Sequence, residues 1–287
     1  MLVEITNAKS LLEFMYKRAG NESNHQIYHV TTLLKTIARH HIHQPQETVD
    51  QLRKLCKALK PQTERFTEKN RYCLRQFADN KKLLALLTLP QRVLAQTAKR
   101  RTLRRRDAVR VQLAIATAVL LNIPIRIRNL TALRLDRHLQ TFGDRTFLSI
   151  ASDETKNAVA IEQEVPAQLA RWLEIYIRKY RNILLKTASS WLFPGENGGE
   201  RPAGGFGQQI TDFIAKEVGV GLTPHQFRHL AAKLFLDQHP NGFETVRRLL
   251  GHKSIETTMR HYRELEAALA SKRYAAVLEN CARLEVS

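Results

Sequence analysis

Four side chains in the C-terminal part of this 287-residue sequence are of types that can act together on a phosphate group. They are His225, Arg228, His252 and Tyr262. An arginine can bind two phosphate oxygens at once, a histidine can transfer a proton near neutral pH, and a tyrosine can act as a nucleophile. If the fold gathers them on one face, they form a site for phosphate-ester chemistry.

The elements that must position these side chains can be read from the residues around them. Thr223 suits the N-cap of a helix and Pro224 its first turn. His225 and Arg228, at i and i+3, then lie on one helical face. A second predicted helix begins near Gly242 and ends at Gly251, which suits the left-handed turn that terminates helices. This turn can direct the following histidine back toward the first helix, and a third short helix is predicted to carry the tyrosine.

Two other kinds of site fit the sequence less well. His225 and His229 have the spacing of the H-E-x-x-H zinc motif, but Gln226 replaces the glutamate base and Arg228 would place a cation beside the metal. We therefore expect no metal, and we interpret His229 as a structural residue. The Gly/Pro-rich segment 191–207 is a predicted loop, and it lacks the G-x-x-x-x-G-K-[ST] pattern that binds nucleotide phosphates.

The order H-x-x-R (225–228), L-G-H (250–252) and then a tyrosine resembles the C-terminal signature of the tyrosine recombinase (phage integrase) family. The resemblance is strong over about residues 88–287. It implies a site-specific DNA recombinase that cuts and rejoins DNA strands through a covalent 3′-phosphotyrosyl intermediate. It also implies that no metal or other cofactor is required.

The resemblance extends to the family's first arginine box, which matches I-P-I-R-I-R-N-L-T-A-L-R-L at 123–135. The alignment places the catalytic arginine at Arg126, with Arg128 as the competing assignment. Two positions depart from the family pattern: Pro124 stands where Gly is usual, and Asn129 stands where an orienting Glu is usual.

A short β-hairpin follows, because segments 147–150 and 159–161 alternate as strands do and D-E-T-K-N lies between them. An exposed hairpin lysine is usually an ordinary surface residue. The resemblance, however, implies that Lys156 reaches the minor groove and takes part in catalysis.

The resemblance implies a role for each of these residues. Tyr262 would attack the scissile phosphate and His225 would accept its proton. Arg126 and Arg228 would bind the non-bridging oxygens. Lys156 would protonate the leaving 5′-oxygen, and the remaining histidine, at position 252, would hydrogen-bond the phosphate.

The charge of the chain favours a polyanionic partner. The sequence has 46 Lys and Arg against 27 Asp and Glu, a formal net charge of +19, and a pI of about 10.2. A ribosomal or membrane-surface protein fits less well, because no Lys-rich tail, signal peptide or long apolar span is evident. Double-stranded DNA is the expected partner, and the resemblance implies a homo-oligomer on DNA, from dimer to tetramer. Three isolated cysteines, and no CxxC pair, indicate a reducing cytoplasm.

The densest positive charge is the run K-R-R-T-L-R-R-R at 99–106, which we call the basic run. Cations beside phosphates release condensed counterions, so this run should strengthen DNA binding whatever the sequence. The expected DNA-binding residues are Lys99, Arg100, Arg101, Arg104, Arg105 and Arg106.

The predicted fold is mainly α with a small β-hairpin or sheet. Helical periodicity dominates residues 1–87 and by itself predicts a small helical domain. The resemblance implies that this is a core-binding domain that clamps DNA and that residues 88–287 form a mixed α+β catalytic domain. It includes a buried helix that opens at Asp107, a helix from Pro166 to about Leu185, and a terminal amphipathic helix from about 265 to 284.

Two alternative functions stay open on the sequence. The family's tyrosine usually lies nine residues after the L-G-H histidine, where this chain has His261, and Tyr262 comes one residue later. One residue is a rotation of about 100° on a helix. This offset and Asn129 are compatible with a catalytically inactive DNA-binding regulator. A type IB topoisomerase shares the chemistry, although its usual second-site lysine motif differs from H-x-x-R.

Overall fold

The computed structural model describes residues 3–20, 23–61, 67–256, 258–259, 262, 270–271, 274–275, 277–278 and 281. The chain divides into two compact units, Met1–Glu64 and Arg65–Ser287. Most of the predicted terminal helix lies outside the described residues.

The first unit is helical, as its apolar periodicity predicts. Its described elements are α1 (Ile5–Arg18), α2 (His25–His40) and α3 (Gln46–Ala58). Asn24 caps α2, since its side chain accepts the backbone N–H of Ile27 at 3.0 Å. Apolar faces of the three helices meet in one core that includes Leu12, Ile27 and Leu52.

The second unit holds the remaining elements. Before the sheet these are α4 (Glu68–Arg75), a 3₁₀ turn (Gln76–Ala78), α5 (Asn80–Leu87), α6 (Leu89–Ala98), α7 (Arg105–Asn122) and α8 (Ile127–Thr131). The sheet region contains β1 (Leu139–Phe142), β2 (Arg145–Ile150), a 3₁₀ turn (Ser152–Glu154) and β3 (Ile161–Val165). After it come α9 (Ala167–Ile175), a π-helical segment (Tyr176–Arg181), α10 (Asn182–Leu184), α11 (Ala203–Val218), α12 (Pro224–Gln238) and α13 (Phe243–Leu250).

Helix α7 is the centre of the second unit. It is apolar on most faces and buried along most of its length, as predicted. Asp107, which is 3% exposed, stabilises its first turn: one carboxylate oxygen accepts the N–H of Arg104 at 2.9 Å, and the other pairs with Arg100 at 2.9 Å. Helices α6, α9, α11 and α12 all contact α7. Buried residues of α8, β2, β3, α12 and α13 belong to the same core as α7, so the elements that carry the candidate site share one core.

The sheet is antiparallel, in the order β1-β2-β3. The predicted hairpin is confirmed as the β2–β3 pair, with Ile150 opposite Ile161. Val159, predicted to begin the second strand, lies instead in the connecting loop. Strand β1 was not predicted, because its burial is slight and Phe142 is 65% exposed, which leaves little apolar alternation to detect.

The division between the compact units follows Glu64, whereas the predicted boundary at residue 87 concerns functional domains. The physical reason is the packing of α4 and α5, which contact α12 and α11 respectively. On α4, Cys73 is buried in the same core as α7, and Asn70 accepts a hydrogen bond from Gln226 of α12 at 3.2 Å. These two helices therefore belong to the unit that carries the candidate site. The assignment of residues 1–87 and 88–287 to separate functional domains stays a prediction.

Within the part of the chain that the structure describes, every helix is too short or too polar to cross a lipid bilayer.

Candidate active site

Arg228 joins three parts of the candidate site. It lies on α12, which begins as predicted: the side chain of Thr223 caps the helix and Pro224 occupies its first turn. The guanidinium is 4% exposed. It donates to the carbonyl of Pro124, in the turn before Arg126, at 2.6 Å, and to the carbonyl of Leu250, at the end of α13, at 2.5 Å. One side chain therefore fixes the turn before α8 and the turn after α13.

Arg126 and Arg228 bring two guanidiniums close together. Arg126 immediately precedes α8 and is half-buried, whereas Arg128 is exposed. Burial lowers the pKa of Arg126. Burial, and next the charge of Arg126, lower the pKa of Arg228 to about 10, against a smaller raising effect of Tyr262. Both side chains still carry their charge at neutral pH, so the site offers an anion two cations that are partly stripped of water.

Tyr262 lies against the same helix. It is 2% exposed, and its hydroxyl lies 3.2 Å from Nδ1 of His229. The ring of His229 in turn meets the ring of His225 edge-on, with centroids 4.8 Å apart. His225 itself is exposed. Tyrosine and the two histidines thus form one line of rings, in which His229 is the direct neighbour of the phenol.

His252 is positioned by the turn that the sequence predicts. Gly251 has φ 58° and ψ 42°, the left-handed conformation that favours glycine. The backbone N–H of His252 then donates to the carbonyl of Arg247 at 3.0 Å. Its ring Nδ1 lies 2.9 Å from the hydroxyl of Thr258, so the imidazole is held beside the segment that leads to Tyr262.

Lys156 is exposed, in the loop that joins β2 to β3. The next residue, Asn157, donates its side-chain amide to the carbonyl of Gly251 at 3.1 Å. Two successive carbonyls at the end of α13 therefore accept hydrogen bonds: that of Leu250 from Arg228, and that of Gly251 from Asn157 in the loop that carries Lys156, which we call the lysine loop. The β2–β3 loop and helix α12, which carries Arg228, therefore meet at the C-terminal end of α13.

His229, interpreted as structural, is buried and lies beside the hydroxyl of Tyr262. Sequence reasoning missed two other residues that connect the parts of the site. Asn157 and Glu154 were not singled out, since each makes its contact with a residue far along the chain. Glu154 binds His138, and its carbonyl accepts the amide of the buried Asn129 at 3.2 Å; no short-range pattern signals either bond.

The zinc interpretation gains no support from the geometry. The hydroxyl of Tyr262 lies at Nδ1 of His229. Among the residues that the structure describes, no three His, Cys, Asp or Glu side chains form a group that could hold a metal ion.

The basic run is exposed at the start of α7. All six predicted side chains are exposed: Lys99, Arg100, Arg101, Arg104, Arg105 and Arg106. Two of them have protein partners. Arg100 pairs with Asp107, and Arg105 donates to the carbonyl of Leu184 at 3.2 Å.

A family comparison decides what kind of protein carries this site. The model of the phage integrase family matches residues 91–268, more than half of the chain. The chain belongs to the phage integrase family. The matched range includes every residue of the predicted catalytic set.

Several solved structures of recombinases match this integrase-family chain. They include a lambda integrase tetramer bound to a Holliday junction, at 15% identity and a TM-score of 0.52 over 89% of this chain and 64% of that one. They also include XerH bound to palindromic difH substrate, at 16% identity and a TM-score of 0.48 over 66% of this chain and 51% of that one. XerA matches at 15% identity with a TM-score of 0.46, over 96% of this chain and 83% of that one.

At these identities the likeness concerns the fold alone. The chain spans about half the length of the XerH chain. No curated protein sequence matches the chain significantly.

The burial of Tyr262 predicts its titration. Burial raises the pKa of this phenol above its ordinary value, against a smaller lowering effect of the Arg228 charge. In DNA-free protein, Tyr262 should stay protonated at about pH 10, where an exposed phenol is half-ionised. The tyrosinate absorbance of wild type minus Tyr262→Phe should therefore show no step near that pH. Above pH 10 the Tyr262 phenol ionises in the unfolded chain but not in the folded protein. The free energy of unfolding therefore falls as the pH rises. A difference step near pH 10 would show that the phenol is solvated.

Proposed function

We propose that this chain is a site-specific DNA recombinase that cuts and rejoins DNA strands through a covalent 3′-phosphotyrosyl intermediate. The observation that carries the proposal is that Arg228 hydrogen-bonds the turn beside Arg126 and lies on the helix whose His229 contacts Tyr262. Arg126 and Tyr262 are both within range of its charge. Membership of the integrase family supports the same reaction.

The two arginines are the proposed phosphate-binding pair. A phosphodiester between Arg126 and Arg228 would replace the water that burial removes and would gain charge-assisted hydrogen bonds. Extra negative charge develops on the non-bridging oxygens as the nucleophile attacks. Fixed donors stabilise that charge without reorganisation. Because Arg228 is already oriented by two carbonyls, it needs no further ordering when DNA binds.

Tyr262 is the proposed nucleophile. Its oxygen forms the new bond to phosphorus, its proton passes to the proposed acceptor His225, and the bond to the 5′-oxygen breaks. That oxygen leaves with a proton from Lys156. Since Tyr262 is 2% exposed, the phenol must leave its contact with His229 before it can reach a phosphate. His252 would hydrogen-bond the phosphate. None of these steps uses a metal or another cofactor.

Double-stranded DNA is the proposed partner, bound by a homo-oligomer of two to four chains. The net charge of +19 and the exposed basic run supply the attraction. The lambda integrase structure with the same fold is a tetramer on a Holliday junction, which supports a similar assembly here.

A catalytically inactive DNA-binding regulator is the second candidate. The burial of Tyr262 behind His229 favours it, because a phenol locked in that place would leave binding intact and prevent attack.

Trapping of a covalent adduct separates these two candidates. Nicked duplexes, built from sequences that the protein selects out of random DNA, lose a short fragment after cleavage and cannot be rejoined. Wild type should accumulate a protein–DNA adduct, and Tyr262→Phe, which lacks only the nucleophilic oxygen, should bind and form none. Binding without adduct in wild type would establish the regulator instead.

The two arginines of the first box should differ sharply. Arg126→Ala should slow adduct formation by about 10²–10³, as the loss of one transition-state donor does. Arg128→Ala, the matched control at an exposed position, should lose far less. Single-turnover cleavage rates on the same nicked duplex measure both. Greater sensitivity at Arg128 would shift the catalytic assignment by two residues.

The basic run should set the salt dependence of binding. Replacing Lys99, Arg101 and Arg106 by Ala should reduce the slope of log K against log salt by about 0.9 for each DNA phosphate that the variant no longer neutralises. Arg100 is left unchanged because it also pairs with buried Asp107. The control is Arg178→Ala, where an exposed cation already pairs with Glu174 at 2.9 Å. An equal change in slope for the triple variant and the control would mean that the basic run does not bind DNA.

A further inference from the structure

The loop that carries Lys156 is held by a carboxylate two residues earlier. Oε1 of Glu154 lies 3.1 Å from Nε2 of His138, and Oε2 accepts the backbone N–H of Ala151 at 3.2 Å. Arg137 lies 3.4 Å from Oε2. The Glu154 side chain is 24% exposed and that of His138 only 4%, so the bond between them is largely shielded from water.

The tautomer of His138 can be assigned from its two contacts. Nδ1 accepts the backbone N–H of Arg134 at 2.9 Å, so Nδ1 carries no proton. The ring proton is therefore on Nε2, which donates to Glu154. This neutral imidazole links the turn after α8 to the lysine loop in one fixed orientation.

The backbone of Glu154 has a second link to the same region. Its carbonyl accepts the side-chain amide of Asn129 at 3.2 Å, and Asn129 is 5% exposed. Asn129 lies on α8, three residues after Arg126. Glu154 is thus bonded through its side chain and its backbone to the segment that carries the first arginine.

The far side of the loop is held as well. The hydroxyl of Thr155, which is 8% exposed, accepts the N–H of Val159 at 3.0 Å. Asn157 donates to the carbonyl of Gly251, beside His252. Lys156 therefore lies between two anchored neighbours while its own side chain is exposed.

We propose that Glu154 is a positioning residue for Lys156: bonded to His138 and Asn129, it holds the β2–β3 loop in register with Arg126, so that the ammonium reaches the 5′-oxygen. This inference rests on the proposed function, in which Lys156 protonates the leaving group.

Ionisation suits Glu154 to this task. Burial alone would raise its pKa, but hydrogen bonds from His138 and from the backbone of Ala151, with the charge of Arg137, leave the pKa lowered. The carboxylate can accept at both oxygens. A glutamine can accept at only one, because its NH₂ group would face either the His138 N–H or the Ala151 N–H. Glu154→Gln should therefore retain part of the function that Glu154→Ala loses.

A substrate that needs no acid separates positioning from general damage. The nicked duplex is made with either oxygen or sulfur at the scissile 5′-bridging position, because a thiolate leaves without a proton. Glu154→Ala should slow cleavage of the oxygen substrate by about 10- to 10²-fold, the scale of a displaced catalytic group. It should cut the sulfur substrate nearly as fast as wild type, as should Lys156→Ala.

Two further variants make this test specific. Adding Glu154→Ala to Lys156→Ala should cause no further loss on the oxygen substrate, because both changes remove the same proton transfer. The control is Asp153→Ala, which removes an exposed carboxylate from the same turn and should match wild type on both substrates. Equal slowing on both substrates by Glu154→Ala, or additive loss in the double variant, overturns the positioning role.

Failure of the proposed function gives a different result. If wild type forms no adduct, the recombinase proposal fails and the role of Glu154 in it fails too. If wild type cleaves but sulfur does not rescue Lys156→Ala, Lys156 is not the acid. Amide hydrogen exchange of residues 151–159 in DNA-free protein tests the anchoring itself. Exchange of these amides should be faster in Glu154→Ala than in Asp153→Ala. Equal exchange rates in the two variants overturn the inference even if the wild-type protein cleaves DNA.

Discussion

The candidate site depends on the burial of one charge. Arg228 is 4% exposed, and such a guanidinium is tolerated only where its donors are satisfied. The carbonyls of Pro124 and Leu250 supply two acceptors. The second lies at the C-terminus of α13, where the helix dipole also favours a cation. Because these acceptors belong to the turns beside Arg126 and His252, the interaction that makes the charge tolerable also assembles the site.

The site is otherwise built from loop ends, each attached to the helical core at a defined point. The turn before α8 is held by Arg228, the left-handed turn at Gly251 receives Asn157, and the lysine loop is held by Glu154. These hydrogen bonds hold residues that lie far apart in sequence at fixed positions relative to one another. Tyr262 is the exception: its contact with His229 keeps the phenol away from water. With Arg126 and Arg228 as the proposed phosphate ligands and Tyr262 as the proposed nucleophile, this arrangement fits an enzyme that must not cut before its substrate is in place.

Local signals predicted much of this structure. The cap at Thr223 and the stop at Gly251 follow from residue type at one position, and the buried helix after Asp107 follows from a run that is apolar on most faces. All three are confirmed. Long-range contacts could not be predicted in this way. Asn157 and Gly251 are brought together only by the folded second unit, as are Asn129 and Glu154. The packing of α4 against α12 likewise set the division between the units, which helical periodicity alone does not reveal.

Amide hydrogen exchange of Arg228→Lys tests most directly whether this guanidinium assembles the site. Lysine keeps the charge but lacks the planar fork that donates to two carbonyls in fixed directions. Exchange should become faster in two separate segments, 123–130 and 249–254, and should stay unchanged in Leu169–Leu173 of α9, which is buried in the same core. Unchanged exchange in both segments, or an equal rise throughout the second unit, would contradict the assembling role of Arg228.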